Sequence, residues 1–232
     1  MIVGGNAVTV TQDAPTTPPA TDVPWIEDAV PQGASLIADV DSWQWTSSNP
    51  APFSGALAHP SVLAAGIHQH YFYNATPTTT MAVGAGDTLF AYVYLDPANP
   101  PDTVMLQWND GTWEHRAYWG ANVIPWGTDG TPSRRPMGAL PAAGQWVRLE
   151  VPAAQVGLEG RTVNGMAFTL HGGRATWDYA GKRTSAPSPI HQMSGVVTHN
   201  GAALSGVAMT AAGGAGCTPT NAAGAYSCTV PA

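Results

Sequence analysis

The chain has 232 residues, of which 44% are hydrophobic and only 10% are charged, with 26 glycines, 21 prolines and nine tryptophans. Eight basic against fifteen acidic residues give a net charge of −7, which argues against the basic surface that nucleic acid binding requires. No apolar run approaches the roughly 18 residues of a membrane-spanning helix, and helical heptads are absent. These features exclude membrane insertion and helical bundles, and they favour a turn-rich all-β protein.

Residues 1–23 end in a proline- and threonine-rich stretch that predicts an extended linker. From residue 24 to residue 183, apolar or alternating runs of strand length recur between turn residues. Asp110-Gly111 and Gly172-Gly173 predict tight hairpin turns, and Ala153 to Leu158 predict one helical turn. About ten short strands in 24–183 predict one antiparallel β-sandwich of the jelly-roll type.

The C-terminal part differs in composition. Residues 184–193 are rich in proline and serine and predict a second linker, and residues 194–232 predict strands around an Asn200-Gly201 turn. This last segment is short for an immunoglobulin-like sandwich, so we expect a partial Ig-like β module.

Two cysteines, Cys217 and Cys228, lie 11 residues apart with turn residues between them. Antiparallel strands on either side would bring the sulfurs within bonding distance; two buried thiols are the alternative. A disulfide favours a compartment outside the cytosol. Because the N-terminus lacks the basic and apolar regions of a signal peptide, we expect a piece of a larger secreted or cell-surface protein.

Several segments carry a resemblance to a known family. They are VPWIEDAVP at 23–31, HQHYFY at 68–73, LQWNDGTWEHRAYWG at 106–120, WGTDG at 126–130, GQWVRLEVP at 144–152, GMAFTL at 165–170 and ATWD at 175–178. Together they resemble a galactose-binding-like, carbohydrate-binding β-sandwich module of large bacterial surface proteins and Rhs-repeat proteins, over about 160 of the 232 residues. The tail is similar to carboxypeptidase-regulatory-like or bacterial Ig-like repeats, which usually act as spacers. The resemblance implies a class of function and no particular ligand.

Aromatic residues in or beside predicted loops are the candidate ligand-binding groups. Flat indole and phenol rings suit the apolar faces of sugars, and nearby polar residues would bind hydroxyl groups. Each tryptophan has a core-filling alternative, and Glu114 with Arg116 has the alternative of a solvated ion pair. The candidates are Tyr71, Tyr73, Trp113, Glu114, Arg116, Trp119, Trp126 and Asp129. Since the chain is acidic and poor in lysine, a neutral polysaccharide is favoured over an anionic polymer.

No catalytic constellation is evident, because no spacing singles out a pair of carboxylates for sugar hydrolysis and no nucleophile elbow occurs. The resemblance implies a structural calcium ion where the first and last strands meet, and calcium prefers carboxylate and carbonyl oxygens. Glu27, Asp28 and Asp178 are the expected ligands, with Asp39 and Asp41 as an alternative acidic loop. No organic cofactor is expected.

The sequence therefore predicts a non-catalytic glycan-binding module of a larger secreted or cell-surface bacterial protein. Its expected partners are a polysaccharide or glycan and other domains of the same chain, with no nucleic acid and no membrane insertion. A structural or adhesive stalk without a ligand is the alternative, and part of a glycan-active enzyme is a third.

Overall fold

The computed structural model describes residues 2–3, 6–12, 20–185, 190–211 and 216–231. The chain forms two compact units, Thr21–Ser185 and a second unit drawn from 1–20 and 186–232. The all-β prediction is confirmed, with 47% strand and 2% helix. The strands in the described residues are β1 (Ile2–Val3), β2 (Asn6–Val8), β3 (Thr11–Gln12), β4 (Asp22–Ile26), β5 (Ser35–Asp39), β6 (His59–Pro60), β7 (Ile67–Tyr73), β8 (Met81–Ala82), β9 (Thr88–Leu95), β10 (Thr103–Asn109), β11 (His115–Gly120), β12 (Arg135–Pro136), β13 (Trp146–Pro152), β14 (Thr162–Val163), β15 (Gly165–His171), β16 (Ala175–Arg183), β17 (Ile190–His199), β18 (Ala202–Ala203), β19 (Gly216–Cys217) and β20 (Ala225–Pro231).

Two sheets build the unit Thr21–Ser185. One has the strand order β12-β11-β10-β15-β7-β5, and it is antiparallel except for the short β11–β12 pair. The other has the order β13-β9-β16-β4, with β6 also pairing to β16. A two-stranded sheet, β14-β8, completes the described strands of this unit. The confirmed architecture is an antiparallel β-sandwich.

The core lies between the two sheets and follows from the two-residue period of strands. Phe72, Leu106 and Phe168 point inward from the six-stranded sheet, and Val93 and Trp177 point inward from the other. All five are fully buried. The alternate residues of the six-stranded sheet consequently face outward, and they form the floor of the site described below.

Two of the predicted local features are confirmed and one is wrong. Asp110-Gly111 joins β10 to β11, which pair antiparallel from Thr103↔Gly120 to Trp108↔His115. A 3-10 helix occupies Ala153–Val156. Gly172-Gly173, by contrast, does not close a hairpin, because β15 and β16 belong to different sheets. The two glycines have φ of +67° and +64°, a conformation that favours glycine and turns the chain from one sheet to the other.

The second unit is a small sheet of strand order β1-β2-β17-β20-β19, with β3 and β18 also pairing to β17. The predicted disulfide is confirmed: Cys217 and Cys228 are directly paired in register and bonded. The buried hydrophobic cluster of this second unit consists of Val197, Tyr226 and Cys228.

The predicted linkers only partly match this description. Residues 2–3 and 6–12 of the expected linker 1–23 contribute β1, β2 and β3, because β2 and β3 pair with β17 and β1 pairs with β2. Residues 13–19 lie outside the described residues, as do 186–189 of the expected linker 184–193, which ends inside β17. Within the described ranges, no helix has the length and apolar character to cross a membrane.

Candidate functional site

A cavity of about 260 Å³ opens on the outer face of the six-stranded sheet. Its lining combines aromatic, amide and guanidinium groups with one small residue. The lining residues are Gln69, Tyr71, Gln107, Trp113, Arg116, Trp126 and Ala167. Ligand pockets in proteins typically span about 300–1,000 Å³, so this cavity is sized for a small chemical group or one ring of a larger ligand.

Strand alternation places the floor residues side by side. Ala167 is paired in register with Tyr71 of β7 on one side and with Gln107 of β10 on the other. Arg116 of β11 is paired with Gln107. These four positions therefore form one row across four strands, and the small side chain of Ala167 leaves the depression at its centre.

A continuous hydrogen-bonded network fixes the polar side chains of the floor. Arg116 donates through Nε to Oε1 of Gln107 at 2.8 Å. Gln107 donates through Nε2 to Oε1 of Gln69 at 3.0 Å and to Oγ1 of Thr169 at 2.7 Å. Such mutually bonded side chains are held in one geometry before any ligand arrives.

Aromatic rings form the walls of the cavity. Tyr71 contacts Trp113 edge to face, with ring centroids 5.4 Å apart, and it lies 6.3 Å from the ring of Tyr73. Trp126 packs from a loop against the buried Met105, Tyr118 and Ile124 on the same outer face. Burial, together with the negative charge of Asp39, raises the pKa of Tyr71, so its hydroxyl stays protonated and available as a donor at neutral pH.

The polar candidates beside the cavity are engaged in ion pairs and hydrogen bonds. Arg116 donates through Nη2 to Glu114 at 3.2 Å, and the side chain of Glu114 is 60% exposed. Tyr118 donates from its hydroxyl to Asp129 at 2.9 Å. Burial and this bond raise the pKa of Tyr118. Glu114 therefore borders the cavity, whereas Asp129 braces the loop that carries Trp126.

One predicted ligand-binding residue requires correction. Trp119 is only 8% exposed and belongs to the core between the sheets. Trp119 and Ala117 lie on the face of β11 that points into the core, whereas Arg116 and Tyr118 lie on the opposite, outward face. Of the eight sequence candidates, Tyr71, Trp113, Arg116 and Trp126 line the cavity.

The cavity is also lined by three residues that the sequence did not predict, Gln69, Gln107 and Ala167. A signal existed for Gln69, because it shares the phase of Tyr71 and Tyr73 within β7, whose burial alternates residue by residue. No comparable signal marks Gln107, since every residue of β10 is buried.

The three expected calcium ligands lie near one another and near the loop that follows residue 52. Backbone amides of Phe53 and Ser54 donate to Asp178 at 2.7 and 3.1 Å. Asp28 accepts the amides of Ala56 and Leu57, both at 2.7 Å. The two carboxylates are therefore tied to the same loop.

Glu27 has a buried oxygen, Oε2, without a hydrogen-bond partner among the described groups. A Cβ on Gly55 would come within 2.6 Å of Glu27 Oε1 and 2.5 Å of Asp28 Oδ1, so both carboxylates crowd this glycine. Burial raises the pKa of Asp178 to about 6 despite its amide donors, and the charge of Glu27 adds to the rise.

The alternative acidic loop is not assembled as predicted. Asp41 is buried and accepts from Nδ1 of both His68 and His70, at 2.9 and 3.1 Å. Asp39 is exposed and is paired in register with Gln69 on β7. Asp41 is thus occupied by imidazoles in the core. In the part of the chain that the structure describes, no three His, Cys, Asp or Glu side chains stand ready as a metal-binding group.

No protein-family model matches the chain, and no curated protein matches it. Among solved structures, a carbohydrate-binding module from the β-sandwich superfamily is 10% identical with a TM-score of 0.38, covering 78% of this chain and 58% of that one. This chain thus spans less than two thirds of that structure's length.

Two further solved structures are similar at the same level. TmCBM61 in complex with β-1,4-galactotriose is 13% identical, covers 66% of this chain and 90% of that chain, and has a TM-score of 0.38. The CBM22-2 xylan-binding domain of Paenibacillus barcinonensis Xyn10C is 10% identical, covers 65% and 91%, and has a TM-score of 0.36. At these scores, the functional interpretation of this chain depends on its own cavity.

Proposed function

We propose that the unit Thr21–Ser185 is a non-catalytic glycan-binding module of a larger secreted or cell-surface protein. The observation that carries the proposal is the cavity on the outer face of the six-stranded sheet. Its aromatic walls, Tyr71, Trp113 and Trp126, stand beside the polar floor of Gln69 and Arg116. Apolar ring faces next to fixed hydrogen-bonding groups suit a sugar, which presents C–H faces and hydroxyl edges.

The charge around the cavity supports a neutral ligand. Arg116 supplies the one charged side chain of the lining, and Glu114 pairs with it at 3.2 Å. Affinity for a polysaccharide would then come from ring contact and directed hydrogen bonds, and it should depend little on salt.

Removal of a wall residue tests the proposal. Binding of the full-length chain to a panel of neutral polysaccharides is measured by affinity electrophoresis, and any ligand found is titrated against Trp126→Ala. A stacked ring is worth about 1–3 kcal/mol by analogy with bases on aromatics, so affinity should fall about 5- to 150-fold. Trp146→Ala is the matched control, because Trp146 lies on β13 of the other sheet. Retention of no glycan, or equal loss in both variants, would favour a structural stalk.

We also propose that calcium binds where β4 and β16 meet, by drawing together the carboxylates of Glu27, Asp28 and Asp178, which do not form a metal-binding group in the described arrangement. The orphaned Oε2 of Glu27 and the raised pKa of Asp178 support this assignment. A bound divalent cation supplies positive charge that compensates the three carboxylates. The ion would serve to hold the loop that follows residue 52, and it has no part in the chemistry of the glycan site.

A further inference from the structure

The polar groups of the cavity floor are oriented in one direction by Arg116. A guanidinium has only donors, so Gln107 must turn its oxygen toward Arg116 Nε, 2.8 Å away. Both N–H groups of Gln107 then point the other way, to Gln69 Oε1 and Thr169 Oγ1. The orientation of one amide is thus imposed by its charged neighbour.

The same logic extends to Gln69. Its Oε1 accepts from Gln107 at 3.0 Å and from the hydroxyl of Thr169 at 2.9 Å, which occupies both lone pairs. Its Nε2 is therefore turned away from the network, and no described group of the protein accepts from it. Gln69 offers the cavity two N–H donors and no acceptor.

Other unused groups around the cavity are also donors. Arg116 donates one N–H of Nη1 to the carbonyl of Ser133 and one N–H of Nη2 to Glu114. A second N–H on each of these nitrogens remains for a ligand. The indole N–H groups of Trp113 and Trp126 have no acceptor among the residues described. These unused groups favour a ligand that supplies oxygen acceptors.

Charge decides which acceptor is suitable. Glu114 pairs with Arg116, and Asp39 lies in register with Gln69 and raises the pKa of the neighbouring Tyr71 by its charge, after burial. Two carboxylates against one guanidinium disfavour an anionic acceptor such as a uronate. An amide carbonyl is neutral and can accept two hydrogen bonds without bringing a donor of its own, which matches the paired N–H groups of Gln69 better than a hydroxyl does.

We propose that the site selects an N-acetylated amino sugar. The acetamido carbonyl accepts from Nε2 of Gln69, and its methyl group fills the depression over Ala167, beside Tyr71. This inference rests on the proposed glycan-binding function and assigns its ligand class.

Matched monosaccharides test the selectivity directly. The full-length chain is titrated with N-acetylglucosamine and N-acetylgalactosamine against glucose, galactose and glucosamine, with binding followed by ligand-observed NMR. One N-acetyl sugar should bind at least about tenfold more tightly than its parent sugar and amine, because neither of these supplies a carbonyl acceptor for the N–H groups of Gln69. Equal or tighter binding of the parent sugar overturns this inference while leaving glycan binding intact; binding of none of the five overturns it as well.

A variant of nearly the same size as Gln69 tests whether its N–H donors, and not merely the shape of its side chain, bind the ligand. Gln69→Glu keeps the acceptors for Gln107 and Thr169 but replaces the outward N–H groups by oxygen, so affinity for the N-acetyl sugar should fall about tenfold. Gln192→Glu, on β17 of the other unit, controls for the added charge.

A second variant tests the methyl site. Ala167→Leu fills the depression, so the preference for the N-acetyl sugar over its parent should disappear, while the melting temperature falls because Ala167 is almost fully buried. Unchanged preference in both Gln69→Glu and Ala167→Leu overturns the assignment. Trp126→Ala lowers affinity for all the sugars alike if the cavity binds glycans, so it reports on the proposed function independently.

Discussion

Nδ1 of His59 lies 2.8 Å from Nε2 of His70, and both imidazoles are fully buried. Because Asp41 accepts from Nδ1 of His70, the Nε2 of neutral His70 carries a lone pair and accepts from His59 Nδ1–H. The remaining Nε2 of His59 has no partner among the described groups. Both imidazoles are therefore held neutral in the folded protein.

This arrangement predicts a loss of stability in mild acid. Burial, together with the neighbouring imidazole, lowers the pKa of His59 well below its usual value, and burial lowers the pKa of His70. As the pH falls below about 6.5, these two histidines become protonated in the unfolded chain but stay neutral in the folded protein. The free energy of unfolding should fall by up to about 1.4 kcal/mol per pH unit for each such group.

Two other groups modify the profile. Hydrogen bonding and charge from Asp41 raise the pKa of His68 against the opposing effect of burial, so its stabilisation is present below about pH 6.5 and is lost at higher pH. Asp178, with a pKa of about 6, holds an extra proton in the folded state and offsets part of the acid loss. Stability should therefore be highest near neutral pH.

Substitution of His59→Phe isolates the buried pair. The variant should be less stable at pH 7, because His70 loses its donor, but its stability should vary less between pH 6.5 and pH 5 than that of the wild type. Urea denaturation at several pH values measures both slopes. Parallel curves for the two proteins would contradict the assignment.

Replacement of Trp119 should mainly lower the stability of the protein, whereas replacement of Trp126 should mainly lower its affinity for glycan. Trp119→Ala opens a cavity between the sheets and should destabilise the unit by about 3–5 kcal/mol. Trp126 is only partly buried on the outer face, so Trp126→Ala should cost less stability and more glycan affinity. Denaturation midpoints and sugar titrations on both variants check this, and the opposite pattern would place Trp119 in the ligand site.

Bound calcium should stabilise the protein through Glu27. Without calcium, the same carboxylate should lower the stability of the protein. Calcium at one hundred times its dissociation constant adds about 2.7 kcal/mol, and chelator should remove this gain. In chelator, Glu27→Gln should instead be more stable than the wild type, because it relieves repulsion with Asp178. Melting temperatures of both proteins with and without calcium measure the effect, and Asp39→Asn serves as the control. An unchanged wild-type melting temperature on adding chelator counts against the site.

Reduction of the Cys217–Cys228 bond should destabilise the second unit alone. The bond closes a loop of 11 residues, for which chain entropy predicts about 2–3 kcal/mol. Hydrogen exchange in the presence and absence of reductant should show faster exchange in β19 and β20, with β7 and β10 unaffected. The Cys217→Ser/Cys228→Ser double variant should behave like the reduced protein without any further response to reductant.

Much of the secondary structure was available from the sequence. The alternation of residues 67–73 separates the outward Gln69 and Tyr71 from the inward His68 and His70, and the spacing of the cysteines predicted their bond. These features are local, because a strand period or a turn depends on neighbouring residues only.

Which face of a strand becomes the core was decided by the tertiary structure. In β11, Tyr118 and Trp119 are adjacent aromatic residues on opposite faces, and the two-residue period fits either assignment equally well. Packing against the second sheet selected Trp119. The hydrogen-bonded network from Arg116 through Gln107 to Gln69 likewise exists only because β11, β10, β15 and β7 pair in this register. That pairing brings together residues that are too distant in sequence for any local pattern to connect them.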